Sequence, residues 1–337
     1  MEVSQIDETP PLLLSENIQN NIKRRLGTLL KFIFKRLLYI VLAMYLIITA
    51  TFFLMQLAPG SPFASERELP PAIEEQLNAK YGLDNPWYIQ YKDYLVDTIT
   101  FDFGESMKYK GRSTNDIIAE SFPVSLALGL EAMILAIGMG VLLGVVSALY
   151  HNKWPDYAAT IIAILGISVP SFILAGLLQY YLSFQAGWFP VSGWKGFTYT
   201  ILPALAIAVT HAGFIAKLTG SSMLEQNNSE YVKLARAKGL GKWTIVFKHS
   251  LRNALLPVVT YLGPLFAGVI TGSFVIEQIF AVPGLGRHFV TSITNRDYTV
   301  IMGTTVFYSL ILLVAVLIVD ILYSVIDPRI KLKGAKK

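Results

Sequence analysis

Between residues 227 and 257 the chain reads NNSEYVKLARAKGLGKWTIVFKHSLRNALLP, the stretch whose residue types and spacing come nearest to a chemical motif. Gly241-Lys242 invites comparison with a phosphate-binding loop, in which G-x-x-x-x-G-K-[ST] lets backbone amides cradle phosphates. Arg236 stands at the first glycine position, however, and Trp243 where Ser or Thr is needed, so this chain is not expected to hydrolyse a nucleotide. Gly284-Leu285-Gly286 follows no strand and is no dinucleotide site. The absence of cysteine excludes thiol catalysis, disulfides and cysteine-held metals. The four histidines, at 151, 211, 249 and 288, show no metal-ligand spacing. No catalytic, cofactor-binding or metal-binding residue is assigned, and the chain is read as something other than an enzyme.

What residues 227–257 offer instead is a surface. Asn227 followed by Glu230 resembles a helix-capping box. Residues 230–238 favour helix, and Gly239 to Gly241 stops it with a turn. A second helix is predicted from Trp243 to Asn253, meeting Pro257. Tyr231, Leu234 and Ala235 fall on one face, which suits docking into a groove on another protein. A basic amphipathic loop resting on anionic lipid is the other reading.

The elements around this hairpin follow from composition. Of 337 residues, 53% are hydrophobic and only 15% charged, against about 25% charged in soluble domains. Lipid is therefore the expected solvent, and the net charge of +5 reads as basic residues gathered on inner loops, not as a nucleic-acid surface. Roughly 20 apolar residues cross a hydrocarbon core of about 30 Å. Six stretches qualify: residues 37–57, 123–150, 157–183, 199–216, 255–276 and 299–326. Basic clusters precede the first span (Lys23 to Arg36), separate the fourth from the fifth (Lys233 to Arg252) and follow the sixth (Arg329 to Lys337). With six spans all three fall on one side, which the positive-inside rule makes the cytoplasm, so both termini are cytoplasmic. Segment 58–120, with 11 acidic against 6 basic residues, falls outside. Its predicted short helices, 71–82 and 86–98, are punctuated by Gly82 and Pro86 and form a small cap.

The polar stretch before the first span is no cleavable signal peptide. Ile18, Ile22, Leu26, Leu29 and Ile33 recur at helical spacing within residues 18–36, which reads as an amphipathic helix on the inner membrane surface or as a disordered basic tail. Pro170, Pro203, Pro257 and Pro264 interrupt spans, either because a pathway changes shape there or because proline is simply commoner in membrane helices. Gly140 and Gly144 form a small-xxx-small pair suited to close helix packing. Glu131 is the one candidate for a mid-depth ionisable group, and Glu277 and Asp320 sit near span ends. Ion-driven transport by this chain alone is poorly supported by so few charges.

Tyr231-Val-Lys-Leu-Ala235-Arg236-Ala237-Lys238-Gly239-Leu240, continuing to Arg252-Asn253-Ala-Leu-Leu-Pro257, resembles the "EAA" loop of ABC importer permeases. Its form is similar to the B-type subunit of the oligopeptide/dipeptide/nickel family, although Lys233-Leu234-Ala235 replaces Glu-Ala-Ala. Co-linear matches include Ala58-Pro59-Gly60-Ser61-Pro62, Tyr81-Gly82-Leu83-Asp84 with Pro86, Trp188-Phe189-Pro190-Val191-Ser192-Gly193, Pro283-Gly284-Leu285-Gly286-Arg287, Asn295-Arg296-Asp297-Tyr298 and Asp327-Pro328-Arg329. They cover about residues 35–331.

The resemblance implies an all-α, six-span type I ABC importer permease in a bacterial plasma membrane, forming half of a pathway for peptides or, alternatively, nickel chelates. The implied partners are a second, C-type permease (a paralogue rather than an identical copy), two cytoplasmic ABC ATPases carrying ATP and Mg, and an extracellular or periplasmic substrate-binding protein, within membrane lipid. Tyr231, Ala235, Arg236, Gly239 and Leu240 would contact the ATPase, while Arg252 and Asn253 would brace the hairpin. The expected organisation is an interfacial extension (1–34), a first span (35–57), a cap (58–120), a five-helix core (121–326) containing the coupling loop 227–254, and a cytoplasmic basic tail (327–337). Segments 58–120, 185–198 and 281–298 would receive the binding protein. Gly239→Asp is expected to leave membrane insertion intact and abolish ATP-driven transport; normal uptake by a stably assembled mutant complex would refute this.

Overall fold

The computed structural model describes residues 11–58, 62–63, 70–270 and 273–326. Residues 1–10, the basic tail 327–337, Pro59-Gly60-Ser61 and Asp327-Pro328-Arg329 lie outside the described residues. The described chain is helical apart from short connections and one bridge, Glu105↔Ser113. Helix α1 runs unbroken over Pro11–Leu57, so the predicted interfacial stretch and first span are one helix with no boundary at residue 35. The cap follows as α2 (Pro71–Lys80) and α3 (Trp87–Thr100), each entered through a proline. Next come α4 (Thr114–Leu149), α5 (Trp154–Ser168) and α6 (Ser171–Gln185), which closes in π-helical turns from Gln179. After α7 (Ile201–Asn227) the hairpin is built from α8 (Glu230–Ala237) and α9 (Lys242–Ala254). The chain ends with α10 (Leu256–Ile270), α11 (Phe274–Ile279), α12 (Leu285–Asn295) and α13 (Tyr298–Ile326).

Among the described residues four helices are long and apolar enough to cross a membrane: Lys31–Leu57 within α1, all of α4, all of α7, and Tyr298–Ile321 within α13. The other two spans are bent pairs, α5 with α6 at 107° and α9 with α10 at 47°. Counting each pair as one span gives six. Pro170 explains the sharper bend, because it has no N–H to donate and forces Val169 into extended backbone. Pro203 falls in the first turn of α7, where no hydrogen bond is lost, and leaves that helix straight through. The fourth span was expected to end at Ala216, yet α7 continues to Asn227. A lysine at position 217 is no helix breaker, and its long stem can lie along apolar surface while its head reaches water.

Helix α7 is the central element, pressed between α4 and α5. A Cβ on Gly140 would lie 2.7 Å from the Ala212 carbonyl, and one on Gly144 2.7 Å from that of Ala216. On the opposite side Gly213 and Gly166 meet the backbones of α5 and α7. Close backbone approach of this kind is how helices gain van der Waals contact where lipid supplies no hydrophobic drive. Two of the charged residues in or near the spans have defined partners. Glu131 accepts from Thr200 Oγ1 at 2.8 Å, and Arg36 of α1 pairs with Asp320 of α13 at 2.9 Å.

Gly140→Leu should destabilise the α4–α7 contact by about 1–3 kcal/mol, the usual cost of overpacking. Gly138→Leu, at a site with nothing within 4 Å, should be neutral. Thermal unfolding of the purified protein in detergent checks the pair, and equal midpoints would refute the packing role.

Candidate functional site

The hairpin is built around one tyrosine. Tyr231 Oη donates to Gln226 Oε1 at 2.7 Å and accepts from Asn253 Nδ2 at 2.9 Å, joining the end of α7 to α9 across α8. Ser250 Oγ donates to Asn227 Oδ1 at 2.8 Å, a second tie between α7 and α9. Inside the hairpin Val232, Ala235 and Ile245 form a small buried cluster. Gly239 closes the turn with φ +77°, a left-handed conformation that suits glycine. Its amide donates to the Arg236 carbonyl at 2.9 Å, and that of Leu240 to the Ala235 carbonyl at 3.2 Å. No neighbour lies within 4 Å of a Cβ placed on Gly239, so substitution there acts through backbone conformation.

The seven residues singled out from sequence therefore lie in one compact unit but divide into two roles. Tyr231, Ala235, Gly239 and Asn253 hold its shape, while Arg236, Leu240 and Arg252 are exposed. Two sequence expectations need correction. Asn227 is the last residue of α7, not a cap of α8; the cap position falls to Ser229, and the Asn227 side chain is taken by Ser250. Tyr231, Leu234 and Ala235 do not form one outward face, because Ala235 turns inward against Ile245 while Leu234 is exposed.

The outer surface of the hairpin instead presents Leu234, Leu240, Trp243 and Phe247, all exposed. Trp243 and Phe247 stack at 5.8 Å, four residues apart on one helical face. Arg236, Lys238, Lys242, Lys248 and Arg252 are exposed on the same hairpin. Trp243 and Phe247 were missed from sequence, although an aromatic pair at that spacing in a basic helix was a readable signal. A π-helical segment, Ile245–Ser250, follows Trp243 and offsets the aromatic pair from Arg252 and Asn253.

At the other membrane face the cap encloses a cavity of about 640 Å³ between α1, α2, α3 and the start of α13. Its wall carries Glu74, Asp84, Asp93, Asp97 and Glu105, with Lys80 bound to Glu105 at 2.6 Å. Burial, then the nearby Asp102 and Asp93, push the Asp97 carboxyl above its usual range. Buried Asp297 ties the cap to the core, taking Ser106 Oγ and, at 3.1 Å, the Met107 amide. Buried Glu277 on α11 accepts the Arg287 amide at 3.2 Å, while Ser125 of α4 accepts that of Leu285 at 2.9 Å. Two of the recognisable sequence motifs, at 283–287 and 295–298, are thus held down by buried carboxylates.

Residues 140–332 match the family model described as the binding-protein-dependent transport system inner membrane component, and residues 29–129 match its N-terminal companion. The chain belongs to this family. It is 48% identical over 302 residues to the dipeptide transport system permease protein of Bacillus subtilis, covering 90% of this chain and 98% of that one. With the oligopeptide transport system permease protein of Haemophilus influenzae it shares 46% over 305 residues, covering 90% and 100%. Among solved structures, an inward-facing methionine ABC transporter, MetNI, superposes with TM-score 0.53 at 18% identity, over 63% of this chain and 96% of that one. The fold is accordingly that of a type I ABC importer permease.

Tyr231→Phe removes the hydroxyl that links α7, α8 and α9. Amide exchange over residues 230–240 should quicken several-fold, as expected for loss of partly exposed hydrogen bonds of about 1 kcal/mol. Unchanged protection would refute the bolt role of Tyr231.

Proposed function

We propose that this chain is one of two permease subunits of a peptide importer, and that its 227–254 hairpin is the seat for a cytoplasmic ABC ATPase. The observation that carries the reading is the hairpin itself: a hydrogen-bonded unit with exposed apolar side chains and exposed cations, tied to the end of α7 and continuous with α10. Its surface suits a partner groove that is apolar at its centre and acidic at its rim. The names of the relatives, dipeptide and oligopeptide permeases, favour peptides over nickel chelates as cargo. The remaining partners are those the sequence resemblance implies: a C-type permease completing the pathway, two ATPases holding ATP and Mg, and an extracellular or periplasmic binding protein received by the cap. The basic clusters of the sequence, assigned to one side by a six-span count, support cytoplasmic termini in a bacterial plasma membrane.

The chain contributes mechanical coupling to this reaction. ATP-driven closure of the ATPases displaces the hairpin, and Tyr231–Gln226 and Ser250–Asn227 pass that displacement to α7. The 47° bend at Leu255 lets α9 move relative to α10 without unfolding either helix. The Asn253–Tyr231 bond keeps the hairpin upright during that stroke.

Purification of the tagged chain from its native membrane, followed by mass spectrometry, tests the assembly. A second six-span permease and Walker-motif ATPases should co-purify. Trp243→Glu with Phe247→Glu should release the ATPases and retain the permease partner. Recovery of the wild-type chain alone, stable without partners, would overturn the proposal.

A further inference from the structure

Glu277 is fully buried where α4, α11, α12 and α13 meet, just past the fifth predicted span, 255–276. Its Oε2 accepts the Arg287 amide at 3.2 Å, and the Gly286 amide also donates to the carboxylate. Ser125 of α4 accepts the Leu285 amide at 2.9 Å and gives its own proton to Glu277. The acid therefore sits on the first turn of α12, where unpaired amides favour negative charge. A Cβ on Gly284 would collide with Oε2, so main chain and carboxylate are in direct contact there.

What the junction lacks is a cation. The Arg287 guanidinium donates elsewhere, to the Ala281 carbonyl at 3.4 Å. Among the described residues Glu277 takes part in no ion pair, and its buried Oε1 has no hydrogen-bond partner. Tyr308 is the titratable group that bears on it from α13. From α6 and α7, which also pack on α11, no ionisable side chain acts on it. Phe274 packs on Phe289 at 5.0 Å and on Tyr308 at 5.2 Å, which makes the surroundings apolar. Taking a carboxylate out of water without a counter-ion costs so much that such groups tend to hold a proton instead. Burial accordingly pushes the Glu277 carboxyl up to about 7, against the opposing pull of Ser125 and the two amides.

We propose that Glu277 is a proton-operated clasp for α12: neutral, it lets the junction close, and ionised, it draws in water and frees the first turn of the helix. Helix α12 is fastened beyond its far end too, where Asp297 holds the cap through Ser106 and the Met107 amide. Loosening α12 therefore loosens the cap. The sign follows from where the proton is held more tightly. In the closed junction the acid titrates near 7, and where it reaches water it returns to its ordinary 4.5. Closure is thus strongest in acid, weakens as pH rises from about 4.5 to 7, and levels off above that. In the transport reading this side of the molecule is the outer one, so the protons counted are those of the surroundings. The clasp itself goes beyond that reading and stands on this chain alone.

The test uses the full chain, purified from its native membrane in mild detergent with whatever subunits accompany it. Amide exchange over residues 284–290 is followed against pH and corrected for the intrinsic pH dependence of exchange. The opening constant of this segment should rise about tenfold from pH 6 to pH 8. Glu277→Gln, a permanently neutral analogue, should remove that rise. Ser125→Ala takes away a donor that favours the ion, so the pH at which the rise levels off should move upward. That variant retains the acid and decides the matter should Glu277→Gln fail to assemble. In infrared spectra the band of a protonated carboxyl should fade over the same pH range in the wild type and be missing from Glu277→Gln. A rise of equal size in Glu277→Gln, or wild-type exchange indifferent to pH, would overturn the clasp. So would a Ser125→Ala profile that levels off at the wild-type pH.

Discussion

Everything in this protein depends on how closely α7 can approach its two neighbours. Gly140 and Gly144 let α4 sit against the Ala212–Gly220 stretch at backbone distance, and Gly166 and Gly213 do the same for α5. In a bilayer, where apolar side chains gain little by leaving lipid, such contacts replace the hydrophobic core of a soluble domain. They make α7 a rigid post. At one end it carries Thr200, bound to Glu131, and at the other Asn227, bound to Ser250. A push on the hairpin is therefore felt along α7, the helix packed against both α4 and α5.

Much of this was legible in the sequence because the bilayer imposes simple rules. Length and apolarity located six crossings, and the pairing of Gly239 with flanking helix formers located the turn. The failures have a common physical origin. Asn227 could cap a helix or accept from a distant serine, and only the position of Ser250, more than twenty residues on, decides between them. Ala235 turned inward because Ile245 arrives from the second helix to cover it. Helix α7 outran its predicted end because hydropathy falls at Lys217 while helix propensity does not. Trp243 and Phe247 were readable in principle. Attention to the motif itself drew the eye to Tyr231 and Gly239, whose work is internal.

The connections between spans are fastened by buried carboxylates. Asp297 holds the loop that closes the cap, and Glu277 holds the loop that opens α12. Each accepts backbone amides, so each positions main chain with little dependence on neighbouring side chains. Gly284 and Gly286 lie so close to Glu277 that a Cβ at either would fall within 3 Å of its carboxylate. Sequence shows these glycines as a motif. It does not show that an acid seven and nine residues earlier is the reason for them.

The Arg36–Asp320 pair carries a consequence for biosynthesis. Arg36 belongs to the first span to leave the ribosome and Asp320 to the last. An arginine near the end of a span can wait with its head among the lipid phosphates, since its long stem reaches the interface. An aspartate has no such reach, and its helix settles favourably only beside a cation already in place. The first helix thus keeps a berth open while four more spans are threaded between. The final helix closes the bundle against that charge, and a chain truncated before it would leave the arginine at the surface as a mark of incompleteness.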